Sequence, residues 1–184
     1  MGKLLVIADR EGRCGATPRG LELAYKLGLD AEVVAFVYAP LDALEGGTAA
    51  RNDVKQRLLA QREAQLQPVI EKHQHPAQKV RLQVRWEKDM VSWVKARCAR
   101  TEYGMVVKTG RRSENLAYAS SDWLLLRECP APLLILARNK WSRTAPVMAA
   151  LDLASKVASK KRLNDRVLAQ ALSLIHISEP TRQY

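Results

Sequence analysis

Residues 4–9 are Leu-Leu-Val-Ile-Ala-Asp, an unbroken apolar run that stops at the carboxylate of Asp9. A run of this length predicts a strand covered on both faces, as in a parallel sheet. After a polar loop, Thr17 and Pro18 are typical of a helix N-cap followed by the first helical residue, and Gly28 is typical of a helix end. A strand, a loop and a helix in this order predict the first unit of an α/β fold.

The same unit recurs along the first three quarters of the chain. Residues 80–86 alternate apolar and polar side chains, which predicts a strand with one solvent-exposed face at an edge of the sheet. Other apolar runs predict strands at 33–38, 105–107 and 133–136. Helical spacing predicts helices at about 50–72 (kinked or interrupted by Pro68), from residue 90, and from Ser120. Five strands alternating with helices predict a parallel sheet with helices on both faces and a ligand crevice at the strands' carboxyl ends.

The composition places the chain among globular proteins. It has 184 residues, of which 47% are hydrophobic and 27% charged. No apolar run approaches the roughly 20 residues of a membrane span, and the start lacks a signal-peptide pattern, so we expect a cytoplasmic protein without membrane contact. Cys14, Cys98 and Cys129 are widely spaced, which favours reduced thiols over disulfides or zinc.

The net charge of +11 is unevenly distributed. Residues 1–137 carry 21 basic and 16 acidic side chains, whereas residues 138–184 carry 9 and 3. A mildly basic body favours a solvated surface. The basic last quarter raises the alternative of a scaffold that binds nucleic acid. Tyr184 is the one aromatic residue after Trp141, so no stacking platform is visible and nucleic acid is an unexpected partner.

Several local strings resemble the universal stress protein family. Asp9 ends the first strand, and residues 121–132, Ser-Asp-Trp-Leu-Leu-Leu-Arg-Glu-Cys-Pro-Ala-Pro, lead into the fifth strand. The resemblance covers residues 3–137 and is strongest to the tandem-domain E-type members of that family. It implies a Rossmann-like, adenine nucleotide alpha hydrolase-like sheet in the order 3-2-1-4-5. It also implies a non-catalytic role in bacterial stress response.

A second copy of the pattern begins after the first domain. Residues 147–152, Val-Met-Ala-Ala-Leu-Asp, repeat the pattern of 4–9 and predict a strand, and Leu163, Val167 and Ala171 follow at helical spacing. We therefore expect a domain at 1–138, a linker at 139–145 and the truncated start of a second domain at 146–172. Residues 173–184 match neither half and are expected to be a non-native tail.

The resemblance also implies a candidate nucleotide site. Many family members bind ATP with a glycine-rich loop after the fourth strand, but here the corresponding loop retains only Gly110, and Ala119 stands where the last glycine is expected. Arg111 and Arg112 are candidate phosphate contacts, and Ser120 and Ser121 either contact phosphate or, as we favour, cap the next helix. Since Glu114 and Asp122 add negative charge here, we expect ATP to bind weakly or not at all.

Asp9 is the other candidate ligand-binding residue. Its carboxylate either accepts hydrogen bonds from an adenine or ribose edge or, as we favour, anchors the following loop through backbone N–H groups. His73 and His75 have no partner at catalytic or metal spacing, so no catalytic or metal site is predicted. The alternative to a non-catalytic stress protein is an ATP-binding switch with weak ATPase activity.

The sequence also carries two expectations about packing and association. Residues 133–136 are apolar without a break yet fall at an edge in the order 3-2-1-4-5, which predicts self-association as a homodimer through that edge. Trp86, Trp93 and Trp123 are expected to anchor helices and strands in the core.

Overall fold

The computed structural model describes residues 2–10, 14–43, 46–110, 120–137, 148–151, 153–154 and 156–178. The chain forms two compact units, Met1–Arg138 and Asn139–Tyr184. In the first unit, five strands alternate with four helices across the described residues. The strands are β1 Lys3–Ile7, β2 Asp30–Val37, β3 Val80–Trp86, β4 Tyr103–Thr109 and β5 Leu133–Leu136. The helices are α1 Ala16–Lys26, α2 Gly47–His73, α3 Met90–Arg100 and α4 Ser121–Glu128.

The five strands form one parallel sheet in the order β3-β2-β1-β4-β5. This confirms the predicted fold class, and it confirms that residues 80–86 form an edge strand. In the register, Ile7 of β1 lies between Val34 of β2 and Lys108 of β4. The carboxyl ends of β1 and β4 are therefore side by side, and the segments that follow them meet at the same edge of the sheet.

Helices cover both faces of the sheet, as predicted. On one face α1 packs on β1 and α2 on β3. A Cβ atom at Gly20 of α1 would lie 2.6 Å from a methyl carbon of Val6, so only glycine allows α1 to approach β1 this closely. On the other face, Val94 of α3 and Leu125 of α4 join a buried cluster with Leu5 and Phe36 of the sheet.

A buried polar network joins α3 to the second face. Arg97 of α3 makes a two-pronged contact with the Glu32 carboxylate, with Nη2–oxygen distances of 2.9 and 3.0 Å. The Tyr103 hydroxyl donates to the same carboxylate at 2.8 Å and accepts from Arg97 Nε at 3.0 Å. Glu32 is only 3% exposed, so this network provides the partners that a buried carboxylate requires.

The structure corrects the predicted start of α1 and the effect of Pro68. Helix α1 begins at Ala16 with Gly15 as its N-cap, two residues before the predicted Thr17 cap. The reason is that Asp9, from the end of β1, accepts the first N–H groups of the helix, so no side-chain cap at Thr17 is needed. Helix α2 continues through Pro68, so the expected interruption is absent. Gly28 follows α1 with a φ of +66°, as its predicted role requires.

The tryptophan prediction is right for Trp93 and wrong for Trp123. Trp93 packs edge-on against Phe36 with ring centroids 5.3 Å apart, and Trp86 contacts Tyr38. Trp123 is 61% exposed, because its position on α4 faces away from the sheet while Leu125 is buried.

The second unit contains the helix α5, Ala158–Ser178, where helical spacing predicts one. The strand predicted at 147–152 is wrong for its described residues, since 148–151 form no strand and Met148 is 93% exposed. An apolar run becomes a strand only when a neighbouring strand pairs with its backbone. No described helix has both the length and the apolar composition needed to span a membrane.

Candidate functional site

The crevice at the carboxyl ends of β1 and β4 is the candidate site. These strands are neighbours in the sheet, and the chain order reverses between them, which is where open α/β sheets bind ligands. Asp9 follows β1, and Thr109 ends β4 just before Gly110. The structure therefore brings together two of the predicted site residues, Asp9 and Gly110.

The Asp9 carboxylate is held by its own chain through one oxygen. Its Oδ2 accepts the N–H of Gly15 at 2.7 Å and that of Ala16 at 3.4 Å, at the N-terminus of α1. The same oxygen accepts the Thr109 hydroxyl at 3.1 Å, across the crevice from β4. This arrangement matches the loop-anchoring role of Asp9 that the sequence favours, extended to a bridge between β1, α1 and β4.

Two further groups hold the segment around Asp9. The Asp9 N–H donates to the Cys14 sulfur at 3.4 Å, and this sulfur lies 3.0 Å from the Thr17 hydroxyl. Arg62 of α2 donates from Nη2 to the Asp9 carbonyl oxygen. Cys14 thus packs and hydrogen-bonds in this segment as a free thiol, the state that the cysteine spacing favours.

On the other side of β4, Lys108 forms a buried ion pair with Asp122. Successive residues of a strand point to opposite faces, so Thr109 turns toward α1 while Lys108 turns toward α4. The Lys108 Nζ lies 2.5 Å from Asp122 Oδ1, in the first turn of α4, and 3.0 Å from the Thr109 carbonyl oxygen. Lys108 is 6% exposed and Asp122 is 9% exposed, so solvent screens this pair only weakly.

Gly110 and Ser120 have structural roles in the same corner. The Gly110 N–H donates to the Leu136 carbonyl oxygen of β5 at 2.8 Å, and a Cβ at Gly110 would lie 2.8 Å from an Ile135 methyl carbon. Ser120 caps α4 by accepting the Trp123 N–H at 3.3 Å, as favoured above, and Ser121 is the first residue of the helix. Arg111 and Arg112 lie outside the described residues, as do Glu114 and Ala119.

Both helix N-termini that border the crevice therefore carry a carboxylate of the chain itself. A helix N-terminus is a ready anion site, because its first N–H groups lack partners and its dipole is positive there. Asp9 takes this position at α1, and Asp122 adds its charge to the first turn of α4. Within the described residues, no group of three or more acidic, histidine or cysteine side chains could hold a metal ion.

Sequence reasoning missed Lys108, Thr109 and Arg62. Lys108 gave a signal, since a charged residue directly after the apolar residues 105–107 must find a partner if the strand continues. The structure shows that the strand does continue, to Thr109, and that Asp122 is the partner. Arg62 gave no signal, because it lies among many polar residues of α2 and reaches Asp9 only through the fold.

Comparisons with known proteins agree with this architecture. No family model matches the chain. The "Universal stress protein E homolog" of Haemophilus influenzae is 20% identical over 127 residues, which are 67% of this chain and 41% of that protein. Universal stress protein E of Salmonella typhi is 22% identical over 127 residues, again 67% of this chain and 40% of that protein. The chain thus spans about 40% of the length of these relatives.

Solved structures give the same picture of the fold. A functionally unknown protein from Pseudomonas aeruginosa PAO1 has a TM-score of 0.61 at 18% identity, covering 96% of this chain and 57% of that one. A universal stress protein in complex with cAMP has a TM-score of 0.50 at 12% identity, covering 75% of this chain and 98% of that one. The sheet order and the relatives' sequence similarity together make the chain similar to universal stress proteins in both fold and sequence.

Proposed function

We propose that the chain is a non-catalytic stress-response protein of the bacterial cytoplasm. In this proposal its candidate nucleotide site is closed by side chains of the protein itself. The observation that carries this is the Lys108–Asp122 ion pair, buried where the resemblance implies a phosphate-binding loop. A phosphate group placed there meets the Asp122 carboxylate, and the nearby Lys108 cation is already paired. Charge repulsion and the cost of breaking a buried pair both act against triphosphate binding.

The other half of the crevice supports the same proposal. An Asp at the end of β1 can recognise an adenine or ribose edge only if its oxygens remain available to the ligand. Here Asp9 Oδ2 accepts from Gly15, Ala16 and Thr109. A ligand that recruits Asp9 Oδ2 must therefore compete with the hydrogen bonds that start α1.

Calorimetric titration with ATP tests the proposal. We expect a dissociation constant above about 100 μM, or a binding free energy weaker than about −5.5 kcal/mol. Titration with cAMP forms a second arm, since a related fold binds that nucleotide. Low-micromolar ATP affinity, or ATP hydrolysis that depends on Lys108, would instead favour the ATP-binding switch.

Two variants of α4 separate the ion pair from general charge effects. Asp122→Asn removes the carboxylate beside Lys108 and leaves the lysine available to a phosphate, so ATP should bind more tightly than to the original chain. Glu128→Gln removes an equal charge at the exposed end of the same helix, where Glu128 pairs with Lys95. It should leave ATP binding unchanged. Equal ATP affinity of the two variants would show that Asp122 does not close the site.

We also propose self-association through β5. The edge of the sheet that β5 forms carries Leu133, Leu134 and Ile135, which are all half-buried, whereas β3 at the opposite edge exposes Arg81 and Arg85. Charged residues protect an edge from pairing, and apolar residues invite it. Sedimentation at micromolar concentration should therefore show a dimer that Leu134→Lys disrupts and Val84→Lys, on β3, does not. A strict monomer would refute the proposal.

A further inference from the structure

Cys98 and Cys129 meet at the contact between α3 and α4. Cys98 lies in the last turns of α3, and Cys129 is the residue that ends α4. The two helices pack against each other, and both cysteines pack against the same buried core cluster. Both are free thiols, each partly exposed.

A neighbouring ion pair shows how the helices are aligned. Lys95 of α3 contacts Glu128 of α4, with Nζ and Oε2 3.1 Å apart. Cys98 lies three residues after Lys95, on the same side of the helix, and Cys129 directly follows Glu128. The register fixed by Lys95 and Glu128 therefore brings the two thiols to the same α3–α4 contact, where each alters the pKa of the other.

This mutual effect makes the two thiols chemically different. The Cys98 side chain lowers the pKa of Cys129 to about 6, helped by the backbone N–H of Ala131. The Cys129 side chain, and then burial, raise the pKa of Cys98. Arg97 and Glu32 act on Cys98 in opposite directions. A thiolate beside a protonated thiol is the arrangement in which one sulfur is oxidised first and the other resolves it.

We propose that Cys98 and Cys129 form a reversible intramolecular disulfide when the protein meets a peroxide. The Cys129 thiolate attacks one oxygen of hydrogen peroxide, the O–O bond breaks, and the departing hydroxide takes a proton to become water. Cys129 is then a sulfenic acid. The Cys98 sulfur attacks it, the S–S bond forms as the S–O bond breaks, and the second water leaves with the Cys98 proton. The two thiols lose two electrons and the peroxide gains them.

The disulfide has a clear structural effect. It joins α3 to the turn that leads into β5, and it closes a loop that contains β4, the candidate phosphate loop and α4. Closing this loop removes conformational freedom from the unfolded chain, so the oxidised protein should unfold at a higher temperature or denaturant concentration than the reduced one. Cys14 is the internal reference, because its sulfur contacts the Asp9 N–H and Thr17 instead of another thiol.

Peptide mapping of the full chain tests the proposal without any substitution. The reduced protein is treated with hydrogen peroxide, remaining thiols are blocked with N-ethylmaleimide, and trypsin is added without a reductant. Cleavage at Arg97, Arg100, Arg127 and Arg138 releases Cys98 in peptide 98–100 and Cys129 in peptide 128–138. We expect these two peptides to be linked, the link to be lost with dithiothreitol, and Cys14 to carry maleimide. Maleimide on both Cys98 and Cys129, sulfinic acid without a link, or links that involve Cys14 or a second chain would each overturn the proposal.

Variants add a kinetic and a stability readout. Cys14→Ser should retain both the link and the higher unfolding midpoint after peroxide. Cys98→Ser should lose both and leave a sulfenic acid at Cys129, which a dimedone probe detects. The linking reaction should slow several-fold from pH 7.5 to pH 5, as Cys129 becomes protonated. An unfolding midpoint that rises equally in Cys98→Ser and in the original chain would contradict the proposed link.

Discussion

Two buried ion-paired clusters lie on the same face of the sheet, toward its opposite ends. Nearer the amino ends, Arg97, Glu32 and Tyr103 satisfy one another through five hydrogen bonds that join α3, β2 and β4. At the carboxyl end, Lys108 meets Asp122 through a single short contact at the start of α4. The first cluster lies against the core, and the second borders the crevice where this fold binds ligands.

The difference separates a charged cluster that stabilises the fold from one that faces the ligand crevice. A two-pronged arginine contact with an added tyrosine hydroxyl leaves few unsatisfied positions on the Glu32 carboxylate, so the first cluster has little capacity for a ligand. The Lys108–Asp122 pair uses a lysine, whose ammonium group has three donors and a flexible stem. A pair of this kind can rearrange, so changes there should alter ligand binding as well as stability.

Arg97→Met should have the largest effect on stability. It leaves the Glu32 carboxylate, 3% exposed, without its cation, which costs about 3 kcal/mol of unfolding free energy. Lys95→Met, on the same helix, breaks the exposed pair with Glu128 and should cost under about 1 kcal/mol. Urea unfolding compares the two variants. Equal losses of unfolding free energy in the two variants would mean that the Glu32 network stabilises the fold no more than a surface ion pair does.

Lys108→Met should cost less, about 2 kcal/mol, because the N-terminus of α4 still favours the remaining Asp122 carboxylate. Adding Asp122→Asn should restore most of the loss, since the uncompensated charge is then removed. The same urea titration, run on the single and double variants, measures the coupling. Additive losses in the double variant would indicate that the two side chains do not stabilise each other.

The alternating side chains of residues 80–86 predicted one edge of the sheet from local pattern alone. The strand order, and with it the edge position of residues 133–136, was implied by the resemblance to the universal stress protein family. Residues 80–86 alternate and residues 133–136 do not, and both elements form where expected. Prediction from the sequence failed at residues 148–151, where the apolar pattern alone cannot supply a pairing strand. At the site, Asp9 and Ser120 were predicted in their observed roles. Arg62 and Thr109 were not, because their contacts join residues 53 and 100 positions apart.

Asp9→Ala extends the comparison to the other side of the crevice. Its Oδ2 accepts three hydrogen bonds, two of them from the start of α1, so the substitution should cost about 1–2 kcal/mol without any ligand. Asp9→Asn retains an acceptor oxygen and should lose less unfolding free energy than Asp9→Ala. Thermal unfolding of the ligand-free proteins provides the measurement. If Asp9→Ala matched the original chain in stability, the carboxylate would not anchor α1, and a ligand-binding role would become the better explanation.

The smallest effect concerns Tyr103 and appears only at high pH. Burial, with the hydrogen bond to Glu32, raises the pKa of Tyr103 to about 12, above its ordinary value near 10. The folded state thus favours the protonated phenol. Its contribution to stability is complete below about pH 10 and is lost as the pH rises toward 12, since the unfolded chain releases the proton first.

Tyr103→Phe removes this titration together with one hydrogen bond, at a cost of about 1 kcal/mol at pH 8. The stability difference between Tyr103→Phe and the original chain should therefore narrow between pH 8 and pH 11 in urea unfolding, while all other titrating groups are shared and cancel. A difference that stays constant over that range would show that the Tyr103 hydroxyl is not held as a proton donor to Glu32, and the two clusters would then differ less than their geometry indicates.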